Sequence, residues 1–157
     1  MRIYILRHGA AEPNSSIGDQ GRRLIPEGKE KIRGVARFIR GKINPSLILS
    51  SPYIRAVETA RIFGQEIGYT GKIEETPLLT PEYAIEKTII GLKSFENNEI
   101  LLVGHNPHLS ELTAGIVSDG SLHFAMKKAA LAGVEFKDSI RQGSGFLLWI
   151  VTAGLCE

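Results

Sequence analysis

The chain predicts an α/β fold on a mostly parallel sheet, and three observations predict it. Apolar runs too short for helices recur at residues 3–6, 47–49 and 100–103 and read as buried strands. Each precedes a segment whose apolar residues fall at helical spacing, and such alternation places helices on both faces of a parallel sheet. The tail changes character: residues 131–136 and 146–151 are strand-like, with Gly143-Ser144-Gly145 between them, and read as an antiparallel pair. The expectation is a three-layer sandwich with a mostly parallel sheet and an antiparallel C-terminal edge.

The elements follow in order. Residues 10–25 form a polar loop containing Pro13, Gly18, Asp19, Gly21, Arg22 and Arg23. Pro26 suits the first turn of a helix with Ile32, Val35, Ala36 and Ile39 inward, which Gly41 can stop. Asn44-Pro45 turns the chain into the second strand, which ends in Ser50-Ser51. Ser51-Pro52 reads as N-cap and first residue of a helix burying Ala56, Ala60, Phe63 and Ile67, closed by Gly68, with Arg55 in its first turn. A short strand lies around Lys72-Ile73-Glu74, and Thr80-Pro81 is expected to open a helix carrying Ile85, Ile89 and Leu92. After the third buried strand comes Gly104-His105-Asn106-Pro107, with Asn106 the expected cap of a helix that turns Leu109, Leu112 and Ile116 inward.

Length and composition bound the function. A chain of 157 residues, 43% apolar and 23% charged, is expected to fold as one domain, 1–157. A net charge of +2 makes no electrostatic case for nucleic acid. No apolar stretch is long enough to span a bilayer. The first apolar run is interrupted by Arg7 and His8, so it does not read as a signal peptide. The single cysteine, Cys156, leaves no internal disulfide, which fits a reducing, cytoplasmic setting.

Chemistry gathers at the strand ends. Arg7-His8-Gly9, Arg55 and His105 each follow a strand, and ligands bind outside the carboxyl ends of strands in open α/β sheets. On a shared sheet these junctions bring two arginines and two histidines together with helix N-termini, a combination suited to a dianion. Arginine's planar fork holds two phosphate oxygens at once, and Gly9 is expected to let the backbone approach the ligand. No carboxylate cluster accompanies the histidines, which makes a poor metal site. Neither metal nor cofactor is expected.

These residues resemble the signatures of the histidine phosphatase superfamily. Arg7-His8-Gly9 is similar to its first motif, Ser50-Ser51-Pro52 with Arg55-Ala56 and Glu58-Thr59-Ala60 to its second, and Gly104-His105-Asn106-Pro107 to its third. Asp19, Arg22, Leu24 and Gly28 resemble the loop of the small phosphohistidine phosphatases of the SixA type. Two positions depart: Ile25 stands where relatives usually carry a capping threonine, and Glu82, the candidate general acid, is slightly out of step with the larger branch's pattern. The resemblance implies a phosphoglycerate mutase-like fold and a metal-independent phosphatase acting on phosphohistidine in a protein. His8 would be the nucleophile, attacking as neutral imidazole with its other ring nitrogen held by a backbone carbonyl. Arg7 and Arg55 would disfavour a second charge there. Arg7, Arg55 and His105 would bind the phosphoryl oxygens, and Arg22 could close over them.

Two other readings stand beside this one: a small-molecule phosphomonoesterase on the same scaffold, and a non-catalytic phosphate-binding module. Expected partners are a phosphorylated protein or small phosphorylated molecule, with no nucleic acid and no membrane. Remaining residues read as ordinary. His108 is expected to be solvent-exposed rather than to line the pocket rim, His123 to lie in a loop, Lys127 and Lys128 on a solvated surface, and Trp149 in core or edge packing. Asp19 is expected to pair with Arg22, and Glu12 lies near the site in sequence with no fixed direction.

Overall fold

The computed structural model describes residues 1–96 and 98–156. Among the described residues six strands form one sheet: β1 (Arg2–Arg7), β2 (Leu47–Ser50), β3 (Ile73–Glu75), β4 (Glu99–Gly104), β5 (Leu131–Phe136) and β6 (Gly145–Val151). Their order is β3-β2-β4-β1-β5-β6. The first three pairings are parallel, and β5 and β6 extend the sheet antiparallel from β1, as the tail's composition predicts.

Alternation along the strands builds two cores. Tyr4, Leu6, Ile48, Leu101 and Val103 face α1 (Pro26–Ile39) and α2 (Ile54–Ile67), meeting Ile32, Val35, Ala36, Ala60 and Phe63. Ile3, Ile5, Leu49, Ile100 and Leu102 face the other way, onto α3 (Ile85–Leu92) and α4 (His108–Val117) through Ile89, Leu92, Leu109 and Leu112. Central strands buried on both faces explain why their sequences are continuous apolar runs. Trp149 stacks on Tyr4 with ring centroids 5.9 Å apart, which is edge packing.

Three helix starts differ from expectation, each because a polar side chain has another partner. α2 begins at Ile54, not Pro52, and the Ser51 hydroxyl lies against His105. α3 begins at Ile85, not Pro81, because residues 77–79 form a short 3-10 turn and the Thr80 hydroxyl donates to the Pro77 carbonyl (2.9 Å). Asn106 does not cap α4; its amide donates to the Met126 carbonyl (3.1 Å). Gly68 ends α2 in the left-handed region (φ 81°), where a glycine carries no steric cost.

The register sets up the site. Arg7 lies beside Gly104, and Ser50 beside Val103, so β1, β2 and β4 end level with one another at one sheet edge.

Candidate active site

His8 leaves β1 directly into this edge and is 6% exposed. Its Nδ1 lies 2.7 Å from the Gly9 carbonyl, and Arg55 Nε donates to its Nε2 (3.2 Å). A carbonyl accepts only and a guanidinium donates only, so the proton is on Nδ1 and the lone pair on Nε2. Burial is the largest influence on the ring and holds its pKa down to about 3; Arg55, Arg7 and Lys128 lower it further, against the Gly9 carbonyl. The expected effect of the arginines is therefore present but secondary to desolvation.

His105 follows β4 and faces His8, with ring centroids 5.0 Å apart. Its Nε2 lies 2.8 Å from the Ser51 hydroxyl, which itself accepts from the Tyr53 amide (3.3 Å). The Ser51 oxygen, with one proton and two lone pairs, can serve either tautomer of the ring; when it donates to Nε2, the ring's own proton sits on Nδ1. Burial and the His8 ring push the pKa of His105 down to about 2, so it too is neutral. His105 Nδ1 and Arg7 Nε are buried nitrogens without a hydrogen-bond partner among the described residues. Such groups are costly in an apolar interior and suit an oxyanion.

Arg55, in the first turn of α2, is 4% exposed. Besides His8, it donates to the Asp19 carbonyl (2.7 Å) and to Asp19 Oδ2 (2.9 Å). Arg22 donates to Asp19 Oδ1 (2.8 Å) and to the Glu12 carbonyl (2.5 Å). The expected Asp19–Arg22 pair therefore exists and is shared with Arg55, and both arginines hold the Asp19 carboxylate below the usual range. Arg22 serves here to brace the loop. The Glu12 carboxylate accepts from the Arg23 amide (3.2 Å), so it too braces the loop.

Packing also requires a glycine at position 9. A Cβ there would sit 2.7 Å from Ile32 and 2.9 Å from the Gly28 carbonyl, and one on Gly28 would meet the Ala10 carbonyl at 2.2 Å. The two glycines let the start of α1 press against the segment after His8. The Gly9 amide donates to the Thr59 hydroxyl (3.2 Å), which in turn donates to the Arg55 carbonyl (2.7 Å). Thr59 thus ties the loop after His8 to the helix that carries Arg55.

Residues 3–80, which hold His8, Arg55 and their loops, match the model of the histidine phosphatase superfamily (branch 1). The chain belongs to the histidine phosphatase superfamily. It is 27% identical over 153 residues to the phosphohistidine phosphatase SixA of Escherichia coli (strain K12), covering 95% of this chain and 92% of that one. Its fold matches the structure of the protein histidine phosphatase SixA complexed with tungstate at a TM-score of 0.88, with 24% identity and full coverage of both chains. It also matches the alpha-ribazole phosphatase from Shigella flexneri at a TM-score of 0.73, with 17% identity over 92% of this chain and 96% of that one.

Tyr53, to which the sequence assigns no role, packs its ring on His105 (4.9 Å between centroids) and under the Arg55 guanidinium (5.1 Å). Its hydroxyl donates to Glu82 Oε2 (3.3 Å). Glu82 is exposed and lies in the turn before α3, so the late start of that helix leaves its carboxylate at the site's rim. An aromatic residue directly before a motif helix, two positions from Arg55, is the signal that points to Tyr53.

His108 is a correction. It is 1% exposed, and its Nε2 lies 3.0 Å from the Thr88 hydroxyl of α3. Position 108 falls one turn before Leu112, on the inward stripe of α4, which carries it into the interface with α3. Burial lowers its pKa to about 4. His123 is exposed in its loop.

Three histidines with depressed pKa values make stability depend on pH. Below about pH 6.5 the unfolded chain takes up protons that the folded imidazoles refuse, so stability falls as pH drops toward the folded values of about 4, 3 and 2. Each contributes a slope of up to about 1.4 kcal/mol per pH unit. Urea unfolding at pH 7 and pH 5 should show a loss of several kcal/mol, and equal stability at the two values would contradict these burials.

Proposed function

We propose that this phosphatase removes the phosphoryl group from phosphohistidine in a protein through a covalent intermediate on His8, without metal or cofactor. The observation that carries the reading is the fixed, neutral tautomer of His8, with its Nε2 lone pair turned toward the Arg55 guanidinium. His8 Nε2 attacks phosphorus while the bond to the substrate imidazole breaks and that ring leaves with the bonding pair. Arg55, Arg7 and the free N–H of His105 hold the phosphoryl oxygens as charge shifts among them. Water then attacks the phosphorus on His8, releasing phosphate and restoring the neutral ring. Asp19 and Arg22 hold the loop over Arg55, and an entering phosphoryl group shares the guanidinium with Asp19. The tungstate complex of a relative with the same fold supports an oxyanion site of this kind. The reading treats residues 1–157 as a single histidine phosphatase domain, working in the cytoplasm; no helix among the described residues is long and apolar enough to cross a membrane.

Glu82 favours a second reading, a small-molecule phosphomonoesterase. An alkyl phosphate expels an alkoxide and needs a placed general acid, whereas protonated phosphohistidine releases an imidazole whose conjugate acid has a pKa of about 6.5. Glu82 is at the rim, bonded to Tyr53, and is the acid available for that role. Comparing kcat/KM across a substrate series separates the two. Phosphohistidine should be fastest, aryl phosphates next and alkyl phosphates slowest. Glu82→Gln should slow alkyl phosphates by roughly 100-fold and phosphohistidine by less than about threefold. Alkyl phosphates turning over fastest would favour the phosphomonoesterase, and no turnover of any substrate would favour a binding module.

A further inference from the structure

Beside the phosphate site, on the α1 side, a chamber of about 440 Å³ is lined by Arg7, Lys31, Lys127, Lys128, Ala129 and Thr152, among others. Every charged residue in its wall is a cation. Lys31 is paired with Glu27 of its own helix (2.7 Å), but Lys127 and Lys128 form no ion pair among the described residues. Their carrier is unusual. Ala129 has φ 60° and is the one non-glycine residue with positive φ among the described residues. An L side chain adopts that conformation only against steric strain, which concentrates where a ligand is held. The turn is fastened to the catalytic strand: the Ala129 amide donates to the carbonyls of Arg7 (3.1 Å) and His8 (3.2 Å). The chamber and the phosphate site therefore share Arg7 and one backbone anchor.

We propose that this chamber is a second anion subsite, which binds a carboxylate carried by the protein substrate close to its phosphohistidine. The inference rests on the phosphohistidine reading above and adds a sequence preference to it. With the phosphoryl group between His8 and Arg55, an extended chain moves about 3.3–3.6 Å per residue, so an Asp or Glu one or two positions away reaches the lysines. A neutral or basic flank would leave the cations unpaired and be rejected, so the charge acts as a specificity device.

Binding tests the subsite apart from turnover. Two peptides carry a stable phosphoryl-triazole mimic of phosphohistidine, one flanked by Asp and one by Asn at the same positions. Calorimetry should find the Asp peptide bound roughly fivefold more tightly by the wild type. A Lys127→Gln/Lys128→Gln double variant should lose that preference. Both lysines are exposed, so the variant is expected to fold, and a thermal melt checks it. Equal affinities in the wild type, binding of neither peptide, or a preference that survives in the variant would overturn the proposal. Pyrophosphate binding with the same lysine dependence, in place of an Asp preference, would assign the subsite to a small ligand and also overturn it. Failure of the phosphohistidine reading has a different signature: no hydrolysis of authentic phosphohistidine peptides, whatever their flanks.

Discussion

His8→Ala is expected to lower kcat/KM for a phosphohistidine substrate by at least roughly 10⁴-fold, the scale seen when a catalytic nucleophile is removed. No neighbouring group can replace it. His105 Nε2 is occupied by the Ser51 hydroxyl. The arginines remain, so the variant should still bind inorganic phosphate. That split between lost turnover and retained binding distinguishes a missing nucleophile from a collapsed site. Loss of both with an unchanged melting curve would mean that His8 is chiefly a binding residue.

Arg55→Ala should cost roughly 10²–10³-fold in kcat/KM, the scale of removing a preorganised donor to transition-state charge. Arg55→Lys should recover little of it. Lysine keeps the charge but cannot reproduce a planar fork that reaches His8 Nε2, the Asp19 carbonyl and Asp19 Oδ2 together. Arg55 also organises the loop, so Asp19→Asn is the companion measurement. It weakens the loop's hold on the guanidinium while leaving the arginine in place. If Arg55 acts mainly on the phosphoryl group, Asp19→Asn should cost about tenfold or less. Equal losses in the two variants would make Arg55 a loop-positioning residue.

The convergence of His8, Arg55 and His105 is legible in the sequence for a simple reason. Each follows a short apolar run, and a parallel sheet places all carboxyl ends on one side. Legible too is the antiparallel tail, because residues 131–136 and 146–151 lack a helical segment between them. The helix starts are less legible, since Ser51, Thr80 and Asn106 have the chemistry of caps but spend it on partners distant in sequence or on a local turn. Ser51 and Asn106 bond across 54 and 20 residues. Tyr53 and Glu82 meet because the segments that follow the paired strands β2 and β3 come together, which no local pattern encodes. Gly9 and Gly28 are visible as glycines, but the close approach of α1 to the loop after His8, which also requires them, is a matter of packing. Lys127 and Lys128 read as solvated surface and are exposed; that they line one chamber with Arg7 is a matter of tertiary structure that no local pattern encodes.

The central claim is that the phosphoryl group rests on Nε2 of His8 between the two chemical steps. Wild-type protein mixed briefly with a phosphohistidine substrate, quenched in alkali and digested should yield one modified peptide. Mass spectrometry should place the phosphoryl group on His8, as an acid-labile and alkali-stable adduct absent from His8→Ala. Phosphate found on a serine or on His105, or turnover that proceeds undiminished in His8→Ala, would contradict the account.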